Sequence, residues 1–247
     1  MTSCELQALR RSLHVYHGDK ARRAAMDALY RRFLKPDDLA FDIGAHVGDR
    51  TSSIRRLGCR VVALEPQPLP VRALRLIHGR DSLVTVLQAA AGPREGTLML
   101  HVNSRNPTVS TASADFVAAA CGAGGWEGQV WDRALRVPCF TLDNLIERFG
   151  RPAFVKIDVE GFEADVLAGL SQVIAALSFE FTTIQREVAF CCLERLTALG
   201  PYRFDISLGE SQRLTFDEPI SAQEMADYIA ALAHEVNSGD VYAMLRR

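Results

Sequence analysis

Short apolar runs alternate with longer stretches of helical period through most of this chain, and that alternation restricts the fold more than any other feature. Runs at 39–43 (LAFDI), 60–64 (RVVAL), 83–88, 154–158 (FVKID), 177–181, 202–208 and 241–245 have the length and apolar content of strands. Between them, 51–57, 69–77, 162–170, 186–199 and 222–236 read as helices. Strands and helices in such succession predict a largely parallel sheet covered by helices on both faces. Residues 97–102 read as one further strand. The first 36 residues read as a helical extension: Ala25, Leu29 and Phe33 recur at i, i+4 and i+8, and Pro36 stops the run. The least regular part is 103–136, with Asn106-Pro107, a Ser/Thr patch and the glycines around Trp126. Irregular connections of that length serve as lids or substrate loops. No internal repeat or linker divides the chain, so residues 1–247 are read as one domain.

The charged positions bound the partners. A formal net charge of −2 argues against a dedicated nucleic-acid surface, which needs a basic excess. No apolar run approaches the ~20 residues of a membrane span, and the N-terminus lacks the apolar core of a secretory signal. The six cysteines (Cys4, Cys59, Cys121, Cys139, Cys191 and Cys192) form no C-x-x-C pair and have no histidines at metal spacing. A reduced, cytoplasmic setting is therefore expected.

The first strand runs into FDIGAHVGD at 41–49. A dinucleotide loop needs G-x-G-x-x-G, whose second glycine lets the backbone approach a pyrophosphate. Gly44 and Gly48 are present, but the intervening position is His46, whose side chain crowds a diphosphate. A ligand without phosphate has no such requirement, and S-adenosyl-L-methionine is one. In that reading Asp42 accepts hydrogen bonds from the ammonium of the tail, directly or through water, while Gly44 and Gly48 turn the chain beneath it. Glu65 closes the second strand 23 residues after Asp42 and is placed to accept both ribose hydroxyls. Gln88 and Ala89 end the third strand, where small residues admit an adenine and Gln88 meets its edge. Taken singly, Asp42 reads equally as a helix cap and Glu65 as a solvated strand end.

A second acidic cluster follows in 154–170, FVKIDVEGFEADVLAGL. If the strand continues to position 160, alternation puts Lys156, Asp158 and Glu160 on one side. Charges there are costly unless they pair or face a cleft, and clefts lie at the carboxyl ends of parallel strands. Asp158 and Glu160 are thus candidates to orient or deprotonate a substrate hydroxyl, with Gly161 turning the chain into the next helix. The alternative is a Lys156–carboxylate pair closing the strand, with Glu160 capping the helix. His46 is a turn residue or a general base. Asp158, Glu160 and Glu180 are also weak candidates to hold a divalent cation through carboxylate oxygens, although nothing in the sequence requires one.

The motifs FDIGAHVGD, VVALEPQP, NPTVSTAS, TLDNLI and VKIDVEGFEADVLAGL together resemble the FkbM family of S-adenosylmethionine-dependent methyltransferases, over about residues 34–181. The resemblance implies a Rossmann-like seven-stranded methyltransferase sheet, mostly parallel with an antiparallel last strand. It implies O-methylation of a hydroxyl on a polyketide-type natural product, or on a sugar of a glycan or glycolipid. By position, Asp42, Gly44, Ala45, His46, Gly48, Glu65 and Pro66 would hold the cofactor, and Lys156, Asp158, Glu160 and Gly161 would lie on the acceptor side. Trp126 and Trp131 suggest a mobile lid with an aromatic surface for a ring-bearing acceptor. The N-terminal helix is expected either to cover the cofactor cleft or to make a homodimer contact. Two other functions fit less well. An NAD-dependent oxidoreductase is supported by Glu65 and weakened by His46 and the lack of a hydride-transfer set such as Tyr-x-x-x-Lys. A non-catalytic scaffold is weakened by the intact acidic positions.

Overall fold

The computed structural model describes residues 3–246. Helices α1 (Ser3–Gly18) and α2 (Lys20–Tyr30) precede β1 (Leu39–Ile43), α3 (Asp49–Arg56), β2 (Arg60–Leu64), α4 (Pro68–His78) and β3 (Val84–Leu87). Next come β4 (Ala90–Ala91), β5 (Gly96–Val102), α5 (Ala114–Ala120), β6 (Arg133–Phe140) and α6 (Leu142–Phe149). The remainder is β7 (Phe154–Ile157), α7 (Glu163–Ala168), β8 (Ala176–Thr182), α8 (Arg186–Leu199), β9 (Tyr202–Leu208), α9 (Ala222–Ala231) and β10 (Ser238–Leu245). The N-terminal extension is two helices, because Asp19 leaves the helical region and its carboxylate accepts from Ala21 N and Arg22 N to cap α2. Positions 1 and 2 of that expected helix, and the side chain of Cys4, lie outside what is described. The other five cysteines are free thiols.

Among the described residues the main sheet has seven strands in the order β3-β2-β1-β7-β8-β10-β9. The β1–β2, β2–β3, β1–β7 and β7–β8 pairs are parallel, and the last strand, β10, is antiparallel to both its neighbours. The order reverses between β1 and β7, so their carboxyl ends flank the switch point where such sheets bind ligands. The 97–102 run is not part of this sheet. It pairs as β5 with β6 in a separate three-stranded sheet of order β4-β6-β5.

Register separates the two faces chemically. Asp42, Lys156, Ser178, Tyr242 and Asp205 are aligned across β1, β7, β8, β10 and β9. The adjacent row is Ile43, Ile157, Phe179, Val241 and Ile206, all of which belong to the larger apolar core. Side chains one step apart in a strand point to opposite faces. The charges therefore lie on the face that also packs Tyr30, Phe154 and Tyr242, and the adjacent row on the other face is apolar. No helix among the described residues is long and apolar enough to cross a membrane.

The 103–136 segment is more ordered than its composition suggests. A short 3-10 turn, Pro107–Val109, and α5 build a small core in which Trp126 meets Phe116 edge-on with centroids 5.1 Å apart. Trp126 is 7% exposed and donates Nε1–H to Asn237 Oδ1 at 2.9 Å, while Trp131 donates to Val109 O at 2.8 Å. The Trp126 indole packs inward, because its apolar ring has a local core to fill and its N–H a partner to meet. It offers no aromatic surface to an acceptor, contrary to the expectation from sequence.

Candidate active site

The glycine loop leaves β1 over the end of β2. Gly44 N and Ala45 N both donate to Leu64 O, at 3.0 and 2.9 Å. Gly44 has φ +80°, and a Cβ there would stand 1.8 Å from Asp158 O. The two loops leaving β1 and β7 thus cross with their backbones in contact, which only glycine permits. Gly48, also at φ +80°, is the N-cap of α3 and has Leu74 beside it; it does not line the cavity described below.

Glu65 ties this loop down. Its Oε2 accepts from His46 N at 3.0 Å and its Oε1 from Gln67 N at 2.7 Å. The residue is 3% exposed, and burial pushes its pKa up to about 7 despite those two backbone donors. Each carboxylate oxygen has a second lone pair left for a ligand hydroxyl. His46 adopts φ +45° and sets its ring edge-on to Tyr16 of α1, at 5.7 Å. Among the described residues neither of its ring nitrogens has a hydrogen-bond partner. Burial lowers its pKa to about 4, so it is neutral at physiological pH. His17 of α1 meets Val47 O at 2.9 Å, so the N-terminal extension covers this cleft.

On the β7 side the strand stops at Ile157, one residue short of the expected 154–158, and it does not continue to position 160, where Glu160 takes a left-handed φ of +58°. The acidic residues still converge. Asp158 N donates to Ile43 O at 3.0 Å, and the Asp158 carboxylate pairs with the Lys156 ammonium, which is 3% exposed. Burial alone would raise the Asp158 pKa; the charge and hydrogen bond of Lys156 outweigh it and hold the carboxyl below its usual range. Glu160 and Glu180 are driven well above theirs, by burial and then by neighbouring carboxylates. Asp158, Glu160 and Glu180 bring carboxylate oxygens within 4.8 Å of one another. These are the weak metal candidates of the sequence, and nothing beyond the cluster points to an ion.

Glu163 supports the turn from below. It is 1% exposed and accepts from Val159 N at 2.9 Å. Gly161 follows at φ +83°, where a Cβ would meet Phe116 at 2.6 Å, so the aromatic core of the 103–136 segment sits on the acidic turn. Thr111 Oγ1 donates to Glu160 O at 2.6 Å and fastens the two together.

These parts line one cavity, open at its mouth. Gly44, Ala45, His46, Glu65, Pro66 and Ala89 line it on the β1–β3 side, and Lys156, Asp158, Glu160 and Glu180 on the other. Four sequence candidates are not on its wall, Gly161 of the acidic turn among them. Asp42 is fully buried behind the loop, where Thr51 Oγ1 donates to it at 2.5 Å. Gly48 turns away beneath, and Gln88 is exposed just past the end of β3. Conversely, Tyr16, Asp49, Arg50 and Glu210 line the cavity without having been singled out from sequence. Among the described residues the wall has six carboxylates (Asp49, Glu65, Asp158, Glu160, Glu180, Glu210) against two basic side chains, Arg50 and Lys156.

The Methyltransferase FkbM domain matches residues 42–216, from the end of β1 to beyond β9. The chain belongs to the FkbM methyltransferase family. Its sheet is that of the S-adenosylmethionine-dependent methyltransferases. A TehB-like SAM-dependent methyltransferase from Corynebacterium glutamicum ATCC 13032 is similar over 98% of this chain and 98% of its own, with a TM-score of 0.51 and 9% identity. That likeness concerns the fold alone. The precorrin-6y C5,15-methyltransferase from Geobacter metallireducens GS-15 aligns over 91% of this chain and 87% of its own, at a TM-score of 0.46 and 14% identity. A search among curated proteins finds no significant match.

Proposed function

We propose that this FkbM-family protein is an S-adenosyl-L-methionine-dependent O-methyltransferase acting on a hydroxyl of a polyketide-type natural product or of a sugar. The observation that carries the reading is the acidic lining of the cavity, six carboxyl groups against two basic groups that are both already paired, Lys156 with Asp158 and Arg50 with Asp49 and Glu210. A sulfonium and an ammonium are attracted by such a wall, whereas the diphosphate of NAD is repelled. The residues present fit the cofactor on two further counts. Glu65 keeps lone pairs for the ribose hydroxyls, and the Gly44–His46 loop that it ties down lines the cavity beside it.

When bound, the cofactor supplies an electrophilic methyl group. Glu65, Ala45, Pro66 and Ala89 hold the adenosine. Asp158, kept ionised by Lys156, accepts the hydrogen bond of the acceptor hydroxyl and aligns its oxygen for in-line attack. Asp158 is also the carboxylate placed to take the hydroxyl proton, since burial and the neighbouring carboxylates favour the protonated forms of Glu160 and Glu180. His46, with a pKa of about 4, is a weak base at neutral pH, and its part is to close the loop over the cofactor. The acidic wall favours a neutral hydroxylated acceptor over a phosphorylated one.

Titration calorimetry with S-adenosylmethionine and with NAD tests the reading. Binding of the sulfonium cofactor, lost on Glu65→Ala, is expected. Binding of NAD alone would return the oxidoreductase reading in its place.

A further inference from the structure

Arg50 lies one residue into α3, and its side chain is 8% exposed. Its Nη1 donates to Asp49 Oδ2 at 2.8 Å and its Nη2 to Glu210 Oε2 at 3.1 Å. Arg22 of α2 reaches the same two carboxylates, at 3.3 Å to Asp49 and 2.9 Å to Glu210. Glu210 follows β9, at the opposite edge of the sheet from β2 and Glu65, and its side chain is 53% exposed. Gln212 Nε2 adds a third donor to it at 2.9 Å. A half-exposed carboxylate therefore holds the inner guanidinium of the cavity wall.

We propose, on the cofactor reading above, that Arg50 receives the α-carboxylate of the cofactor's amino-acid tail, and that Glu210 occupies this position in the free protein and gives it up on binding. The tail is a zwitterion and needs one partner of each sign. Carboxylates for the ammonium are abundant on the wall. Both basic groups are paired, Lys156 with Asp158 and Arg50 with Asp49 and Glu210; Glu210 is the most exposed of these partners, so Arg50 is the group that can exchange one for a ligand. A guanidinium fork pairs two carboxylate oxygens at once, a geometry an ammonium lacks. Exchange of Glu210 for the ligand keeps the buried Arg50 charge paired in both states, so the penalty of an unpaired buried charge is never incurred. Glu210, half-exposed, returns to water, and its regained hydration offsets much of the pairing with Arg50 and Arg22 that it gives up. The turn after β9 is thereby a latch that reports whether the cofactor is in place.

Calorimetry of the full chain with S-adenosylhomocysteine and with 5′-methylthioadenosine separates the tail from the adenosine, since the second ligand has no amino-acid group. Arg50→Gln is expected to weaken S-adenosylhomocysteine by about 30-fold or more while changing methylthioadenosine by no more than about two-fold. Glu210→Gln is expected to tighten S-adenosylhomocysteine by about two- to five-fold, because a competitor of modest strength has gone. A structural role for Glu210 would not raise affinity. If Arg50→Gln does not fold, the exposed Glu210→Gln variant decides alone. Unchanged or weaker S-adenosylhomocysteine binding in Glu210→Gln, or equal losses for both ligands in Arg50→Gln, overturns the latch and leaves the cofactor reading standing. Failure of the unaltered protein to bind either ligand overturns both.

Discussion

Replacing Gly44 by alanine tests whether the cofactor loop and the acidic turn are one mechanical unit. The new Cβ would lie 1.8 Å from Asp158 O and 2.9 Å from Asp158 C. Carbon–oxygen contacts settle near ~3.3 Å, so the two loops must part by roughly 1.5 Å. That parting breaks the Asp158 N to Ile43 O bond of 3.0 Å. Leaving those buried groups unpaired costs about 1–3 kcal/mol. The left-handed backbone adds about 1–2 kcal/mol for a residue with a side chain. The sum, about 2–5 kcal/mol, is a large share of the ~5–15 kcal/mol that stabilises a typical domain. Gly48→Ala is the control. It has the same φ of +80°, but its Cβ would meet the side chain of Leu74, at 2.4 Å, rather than backbone. Leu74 has rotamers through which to yield, so the control is expected to cost about 1–2 kcal/mol, mostly for its backbone. Urea unfolding of both variants measures the difference, and calorimetry with S-adenosylhomocysteine shows whether binding falls further in Gly44→Ala. Equal stability losses would refute the close crossing as the reason for Gly44.

Asp158→Asn strands the Lys156 ammonium without its partner and is expected to destabilise the fold by about 3 kcal/mol; denaturant midpoints of the single variant and of the Lys156→Met/Asp158→Asn pair would show the double change recovering part of the loss. The same Asn variant, assayed where it is folded, is expected to slow methyl transfer by about 100-fold or more, and an unchanged rate with a true acceptor would remove Asp158 from the chemistry. Glu163→Ala leaves the Val159 amide without its acceptor and is expected to cost about 1–3 kcal/mol, with Glu163→Gln, read in the same unfolding experiment, retaining most of the stability. The cofactor-free protein is expected to melt at a higher temperature at pH 5.5 than at pH 7.5. Burial raises Glu65 and Glu163 to about 7 and Asp240 to about 6, so their contributions are complete below the unfolded values and are lost as pH rises through 6–7. His46, lowered to about 4, and His78, also lowered by burial, oppose this, because their contributions fade as pH falls from 6.5, but Glu160 and Glu180, both raised, add to the three carboxyl groups. A melting temperature that is flat or falls on acidification over that interval would contradict those shifts.

The parts of the site legible in the sequence are those fixed by strand ends. Gly44, Glu65 and Asp158 each follow an apolar run, and a parallel sheet delivers the residues after its strands to one edge whatever the details of packing. Asp42 misled for the same reason: it lies inside β1 rather than after it, so it is buried behind the loop instead of facing a ligand. Tyr16, Arg50 and Glu210 were not legible because they come from α1, the start of α3 and the turn after β9, and only the closed fold brings these together. Arg50 followed FDIGAHVGD directly, and its position at a helix start beside an aspartate was the available signal. The strand β6 was missed because RALRVPCF carries two arginines and a proline. Pro138 is tolerated since β5 pairs beside it while β4 pairs only at Cys139 and Phe140. Helix α6 had a readable start in Thr141 and Asn144, whose reciprocal bonds of 3.0 and 3.1 Å form a capping box.

The hydrogen bond from Trp126 to Asn237 has a consequence for exchanging parts between relatives. The wall built by 103–136 is anchored to residues far along the chain: Asn237 takes the indole N–H, His234 meets Gly124 O at 2.9 Å, and Ile184 packs on the aromatic core. A graft of that segment alone would carry its rings into a socket shaped for others, and the Gly161 turn beneath Phe116 would be disturbed with it. The transferable piece is discontinuous. It consists of the segment together with the approach to β10 and the turn after β8, and acceptor preference is expected to travel only when all three move together.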